Sequence, residues 1–272
     1  MPDMSTLLPM IALLLVIGAF SGVIAGLLGV GGGIVLVPAF FYTFTHLGYD
    51  GPQIMQVCLA TSLATIVVTS LRSVTAHNRK GAVDWQILKD WAPFIAVGAV
   101  AGVIAAAHLK SVVLQAIFGV LGVIVGLYLA FGKPEWRIAP QMPGQPARGI
   151  LATLVGFLSV LMGIGGGSFG VPLMTLYGQP IHRAVATASG FGMLIAVPSV
   201  IGFLFLKVDG APPWTVGAIN IPALVVILAV SLNTTTWGVK LAHSMDPKPL
   251  KRIFAVFITI VALNMLRKVA GL

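Results

Sequence analysis

The sequence predicts an all-α polytopic membrane protein made of two inverted-topology repeats, each a glycine-broken helical hairpin followed by three spanning helices. Three observations carry that expectation. Apolar residues make up 58% of the 272 residues, charged residues only 8%, and mean hydropathy is +1.02. A soluble domain carries roughly 25% charged residues, so this chain cannot cover a water-facing surface. A glycine-rich sentence is written twice, 134 positions apart: Gly29-Val30-Gly31-Gly32-Gly33-Ile34-Val35-Leu36-Val37-Pro38 and Gly163-Ile164-Gly165-Gly166-Gly167-Ser168-Phe169-Gly170-Val171-Pro172. Basic residues, finally, gather in loops that a single topology places on one side.

The elements follow in order. Apolar segments run over 7–28, 34–45, 54–76, 91–109 and 112–131, then over 149–162, 168–177, 184–206, 216–241 and 253–266. The first lacks the basic start of a signal peptide, with only Asp3 charged before it, and is read as a retained helix. Residues 1–132 form the first repeat, the proline-rich stretch 133–148 a cytoplasmic linker, and residues 149–272 the second repeat. The duplication extends past the glycines. Ala60-Thr61-Ser62 resembles Ala186-Thr187-Ala188-Ser189, Gly81-Ala82-Val83 resembles Gly217-Ala218-Ile219, and Leu114 with Phe118 matches Leu250 with Phe254.

The segments after the glycines are short, reaching ~20 Å of a roughly 30 Å hydrocarbon core. Pro38 and Pro172 suit the first turn of a helix, so the glycines and the residues up to each proline are expected to be a non-helical entry. Each hairpin, spanning or re-entrant, returns the chain to its starting side. That leaves three spans per half, an odd number that inverts the second half. With the N-terminus outside, the inner segments hold Arg72, Arg79, Lys80, Lys89, Lys133, Arg137, Arg148, Arg183, Lys240, Lys248, Lys251 and Arg252, twelve of the sixteen basic residues. Lys110, Lys207, Arg267 and Lys268 stay outside, as the positive-inside rule prefers. Gly18, Gly22 and Gly26, Gly98 with Gly102, and Gly122 with Gly126 have the four-residue spacing of close helix packing.

Broken backbone inside a bilayer is tolerated only where protein or a cavity surrounds it, and paired breaks in two halves point to a transporter-type site. Consecutive glycines present backbone N–H groups, and the following half-helix adds a positive dipole end, which suits a small oxyanion. The candidate site is therefore Gly31, Gly32 and Gly33 with Gly165, Gly166, Gly167 and Ser168, held by structural Pro38 and Pro172. Thr61, Ser62, Thr187 and Ser189 add hydroxyl donors, unless they satisfy their own helices. Arg72 follows Thr61 by eleven residues, so both can share a face and draw anions to the inner mouth; otherwise it snorkels to the cytoplasm. Asn233 and Thr234 open the most polar run inside a span.

The paired glycine motifs each followed by proline, the Ala-Thr-Ser after the first, and the loop Ala76-His77-Asn78-Arg79-Lys80-Gly81-Ala82-Val83-Asp84-Trp85 resemble the TauE/SafE family over essentially the whole chain. These are sulfite-exporter-like, toluene-sulfonate-uptake-type permeases. The resemblance implies a small sulfur-containing anion, such as sulfite or an organosulfonate, as cargo. Ser168 stands where the first copy has Ile34, so the two halves are not equivalent.

Other classes are disfavoured. Gly165-Gly166-Gly167-Ser168-Phe169-Gly170 fits a dinucleotide pattern but lacks a preceding strand and a later acidic residue. Gly166 to Gly170 fits a serine-nucleophile pattern, for which His182 and His243 are the candidate bases, both at helix ends. The first copy keeps its glycines without a serine, so the motif serves something other than hydrolysis. All seven acidic residues and all five histidines fall in loops or at segment ends, where the histidines are expected to be solvated. Cys58 is the single cysteine, which excludes an internal disulfide. The net charge of +9 records topology rather than nucleic acid binding. No cofactor or metal is expected. The expected partners are a small anionic substrate and the lipid bilayer of the inner cell membrane, with a second copy of the chain as a further candidate. A carrier working by alternating access, most simply an exporter, is the leading reading; an anion channel or a non-transporting membrane protein is the alternative.

Overall fold

The computed structural model describes residues 4–28, 32–132, 136–244 and 248–271. The described residues form ten helices: α1 (Met4–Leu28), α2 (Gly33–His46), α3 (Ile54–Asn78), α4 (Trp85–His108), α5 (Ser111–Phe131), α6 (Ala147–Leu161), α7 (Gly167–Leu176), α8 (Ile181–Leu204), α9 (Ile221–Ser244) and α10 (Lys248–Val269). A short antiparallel ribbon, β1 (Thr215–Val216) with β2 (Ile219–Asn220), precedes α9. The chain is an all-α polytopic membrane protein. Helices α3, α4, α5, α8 and α9 each have the length and apolar composition to cross a bilayer.

Two hairpins depart from that length. Helices α6 and α7 have 15 and 10 residues. At 1.5 Å per residue they reach ~22 and ~15 Å, too little for two crossings of a roughly 30 Å core. The first hairpin is uneven, with 25 residues in α1 and 14 in α2.

The packing partners are the same when the two sets of five helices are exchanged. Helix α1 lies on α9 as α6 lies on α4; α3 meets α9 as α8 meets α4; α2 covers α3 as α7 covers α8; α5 pairs with α10. Directions are readable from the glycines. Gly18 faces Ile227, Gly22 faces Ser231 and Gly26 faces Val239, so α1 and α9 run parallel. Gly119 faces Leu266 and Gly126 faces Thr259, so α5 and α10 run antiparallel. A Cβ at Gly22 would come within 2.9 Å of the Ser231 Cα, so these small residues do permit close backbone approach.

Helices α3 and α8 are the most enclosed of the five long spans. Around them α4, α5, α9 and α10 present Val97, Ile104, Ile124, Val225 and Ile260 outward, the apolar surface a bilayer requires. One exchange of hydrogen bonds ties the halves at this centre. Thr61 Oγ1 on α3 accepts the Asn220 N–H at 3.0 Å, and Asn220 Oδ1 in turn accepts the Ala223 N–H of α9 at 3.1 Å. In mirror fashion Thr187 Oγ1 on α8 accepts the Asp84 N–H at 2.9 Å, and Asp84 caps α4 through the Gln86 and Ile87 N–H groups. Each half thus holds the start of the other half's fourth helix.

Three expectations are corrected. Pro38 and Pro172 are not first-turn residues: α2 and α7 are helical from Gly33 and Gly167, and each proline is the sixth residue. The prolines bring no N–H to the carbonyls of Ile34 and Ser168, so one rung is missing from each first turn while the backbone stays helical. Helix α4 starts at Trp85 rather than 91, because the Asp84 cap sets its start and its first turns are polar. The stretch 216–220 is not helical: Gly217, at φ 60°, turns the β1–β2 ribbon before Asn220 starts α9.

Candidate functional site

The two glycine sentences each end in a buried helix start that carries no side-chain cap. Gly32 precedes α2 at φ 77°, ψ −9°, and its carbonyl accepts the Val35 and Leu36 N–H groups at 3.0 and 3.2 Å. Gly166 precedes α7 in right-handed conformation, and its carbonyl accepts the Gly170 N–H at 2.7 Å. The sentences are alike in sequence yet differ in backbone: the left-handed glycine of the second copy is Gly163, at φ 62°. A helix leaves its first four N–H groups without intrahelical partners, and at a surface water takes them. Here Gly32, Gly33, Gly165, Gly166, Gly167 and Ser168 are all buried.

The two sentences meet. Gly33 packs on the Gly163 carbonyl and the Ile164 Cα, where a Cβ would come within 2.9 Å of the latter. Ser62 Oγ donates to the Gly163 carbonyl at 2.7 Å, and Ser21 Oγ donates to the Gly32 carbonyl at 3.2 Å. The negative ends of these turns are therefore tied off by serines, while the N–H groups of the helix starts keep their positive ends. Ser168 adds a hydroxyl that is 4% exposed and has no hydrogen-bond partner. Among the described residues no Asp, Glu, Lys or Arg is buried. A buried anion at this junction would be met by backbone N–H groups, helix dipoles and hydroxyls alone, without a formal countercharge.

The other sequence-predicted residues are spread more widely. Gly31 lies outside the described residues. Thr61 and Thr187 use their oxygens in the exchange between the halves, Ser62 holds the second turn, and Ser189 donates to its own helix at the Ala186 carbonyl, 2.6 Å away. Arg72 is exposed although Thr61, which eleven residues of helix place on nearly the same side of α3, is fully buried. Asn233 is exposed on α9, and Thr234 donates within α9 to the Val230 and Ser231 carbonyls at 3.3 and 3.4 Å.

Two features escape the sequence reading. Ser62, Thr65, Thr69, Ser73 and His77 recur every three or four residues along α3, and all are buried, with Ser70 beside them. This stripe runs ~22 Å from the Gly163 turn to the end of the helix. The spacing is present in the sequence, but Ser and Thr can satisfy their own helix, so no single one of them marks a face. The histidines are the second feature. His77 is buried; its Nδ1 lies 3.1 Å from His243 Nε2, its Nε2 lies 3.2 Å from the Gly26 carbonyl, and His182 stacks on His243 at 6.1 Å. The expectation of solvated histidines fails for His77. His182 and His243, the bases a hydrolase would need, are engaged with one another and not with Ser168, whose hydroxyl has no partner.

Comparison with known proteins gives this arrangement a family. A model described as sulfite exporter TauE/SafE matches residues 14–265. The chain belongs to the sulfite exporter TauE/SafE family. A probable membrane transporter protein of Haemophilus influenzae is 31% identical over 95% of this chain and 98% of its own length. Similar chains include a probable membrane transporter protein of Methanocaldococcus jannaschii, 24% identical over 94% of this chain and 96% of its own. A third, from Bacillus subtilis, is 30% identical over 77% of this chain and 83% of its own. No solved structure matches the chain. The TauE/SafE match takes in both glycine sentences, the α3 stripe and all three clustered histidines.

Proposed function

We propose that this chain moves a small sulfur-containing oxyanion, sulfite or an organosulfonate, out of the cytoplasm across the inner cell membrane by alternating access. The observation that carries the reading is the meeting of two buried, uncapped helix starts, with the unpartnered Ser168 hydroxyl at one of them. A compact oxyanion matches several convergent N–H donors, and the family description names a sulfite exporter.

Alternating access draws support from the way the halves are joined. Helices α5 and α10 hold corresponding places and run antiparallel, as an inverted pair of repeats requires, whereas parallel repeats would align them. The collection of basic residues in the 72–89, 133–148 and 240–252 segments makes that side cytoplasmic. Export needs no partner ion, because an inside-negative potential favours a departing anion by about 2.3 kcal/mol per charge per 100 mV.

A binding screen on purified protein tests the substrate class. Sulfite, thiosulfate, sulfoacetate, taurine and simple carboxylates are titrated against thermal unfolding. At least one sulfur oxyanion or sulfonate is expected to stabilise the wild type and leave Gly166→Leu unaffected. Stabilisation by carboxylates alone would overturn the sulfur-anion assignment.

A further inference from the structure

The α3 stripe ends at a contact between two imidazoles that joins the halves. His77 closes α3 and His243 lies in the last turn of α9; Gly26 belongs to α1 and His182 to the first turn of α8. Four helices, two from each half, converge on one pair of rings.

The tautomers follow from the partners. The Gly26 carbonyl can only accept, so His77 carries a hydrogen on Nε2. With His77 neutral, its Nδ1 is a lone pair and receives the Nε2–H of His243 at 3.1 Å. An arriving proton binds His243 Nδ1. The Nε2 proton of His243 then passes to His77 Nδ1, which leaves the bond in place with its direction reversed. One extra proton is therefore accommodated. A second places hydrogens on both facing nitrogens, and the bond breaks.

We infer that His77 and His243 form a proton-binding lock that closes the α3 stripe at one end of the molecule, and that double protonation of the pair releases α9 from α3 and α1. The titratable groups facing the pair are Lys80, after α3, and His182 on α8; Arg183 beside it pairs with Asp84 at 3.8 Å, and α1 meets the pair through the Gly26 carbonyl. Among the described residues, the Lys80 ammonium and an Asp84 carboxylate already engaged by Arg183 suit a site that exchanges a proton rather than one that holds a metal ion. Among the described residues no group of three or more His, Cys, Asp or Glu is arranged for a metal. The lock has no counterpart at the opposite end. The positions matching His77 and His243 in the other half are Phe203 and Ala107, so the imidazole pair is not repeated there. The role as a gate rests on the transporter reading; the proton-dependent contact does not.

Amide deuterium exchange on the full chain in lipid nanodiscs tests the lock without any transported substrate. Protection in 73–80 and 239–244, taken relative to the unstructured rate at each pH, is expected to hold between about pH 8 and about pH 5, where one proton leaves the bond in place, and to fall roughly tenfold towards about pH 3.5, where the second arrives. His243→Gln keeps an N–H donor for His77 but takes up no proton, and its protection is expected to stay flat. His182→Gln leaves the bond intact and is expected to keep the step. If His243→Gln is not recovered folded, His77→Gln answers the same question. An unchanged step in the Gln variant, or no step in the wild type, overturns the lock. So does stoichiometric metal in chelator-free wild type that His243→Gln loses.

Discussion

At Gly32 and Gly166 the proposed functional surface is the backbone itself, and each position has its own reason to refuse a side chain. Gly32 sits at φ 77° against Ser21, and Gly166 packs on Phe191 and the Ala188 carbonyl. Gly32→Leu and Gly166→Leu are expected to cut anion flux at least tenfold while protein still reaches the membrane; normal flux through either well-expressed variant would reduce that half's motif to packing. Ser168→Ala separates binding from stability by sign. Removing a buried, unpartnered hydroxyl is expected to leave thermal unfolding unchanged or raise it. Loss of a donor to a charged ligand weakens anion binding by about 1.5–3 kcal/mol, roughly ten- to hundredfold. Equal affinity in wild type and variant would remove Ser168 from the site. The glycines stand out in the sequence because repetition marks them, and Ser168 because it departs from its counterpart Ile34. Arg72 and Asn233 are exposed, which sequence does not foretell, since it gives a residue's position on a helix but not which face meets protein.

Among the elements, seven of the ten helices start within three residues of the apolar segments of the sequence, because a spanning helix must be apolar throughout. Helices α4 and α10 start before their apolar segments, since 85–90 carry Gln86, Lys89 and Asp90 and 248–252 carry Lys248, Lys251 and Arg252, and hydropathy cannot see a helix that projects beyond the lipid. The ribbon before α9 was hidden for the opposite reason: Val216, Ala218 and Ile219 are apolar without being helical. The caps that end these uncertainties, Asp84 and Asn220, depend on threonines more than a hundred residues away, and no local pattern announces such partners. Thr61→Val strands a buried backbone N–H and Thr187→Val a partly buried one, at a cost of about 1–3 kcal/mol. Thermal unfolding in detergent should show losses of similar size for both variants. A large loss for one alone would break the equivalence of the two halves.

For the whole molecule, the account makes a topological claim before a mechanistic one. Cys58 is buried and is the only cysteine, so an introduced cysteine can be read against a quiet background. Labelling of intact cells should find the 133–148 linker protected inside and residue 271 accessible outside; labelling of both from one side would refute inverted halves. With no acidic residue buried among the described residues, transport is also expected to proceed without sodium. Both expectations meet in the measurement that bears most directly on the central claim, sulfite efflux from proteoliposomes at a clamped membrane potential, for wild type and Gly166→Leu side by side. The account predicts efflux that saturates with sulfite, needs no sodium, accelerates when the interior is negative and is lost in the variant. Efflux that does not saturate, requires sodium or continues unchanged in Gly166→Leu would contradict it.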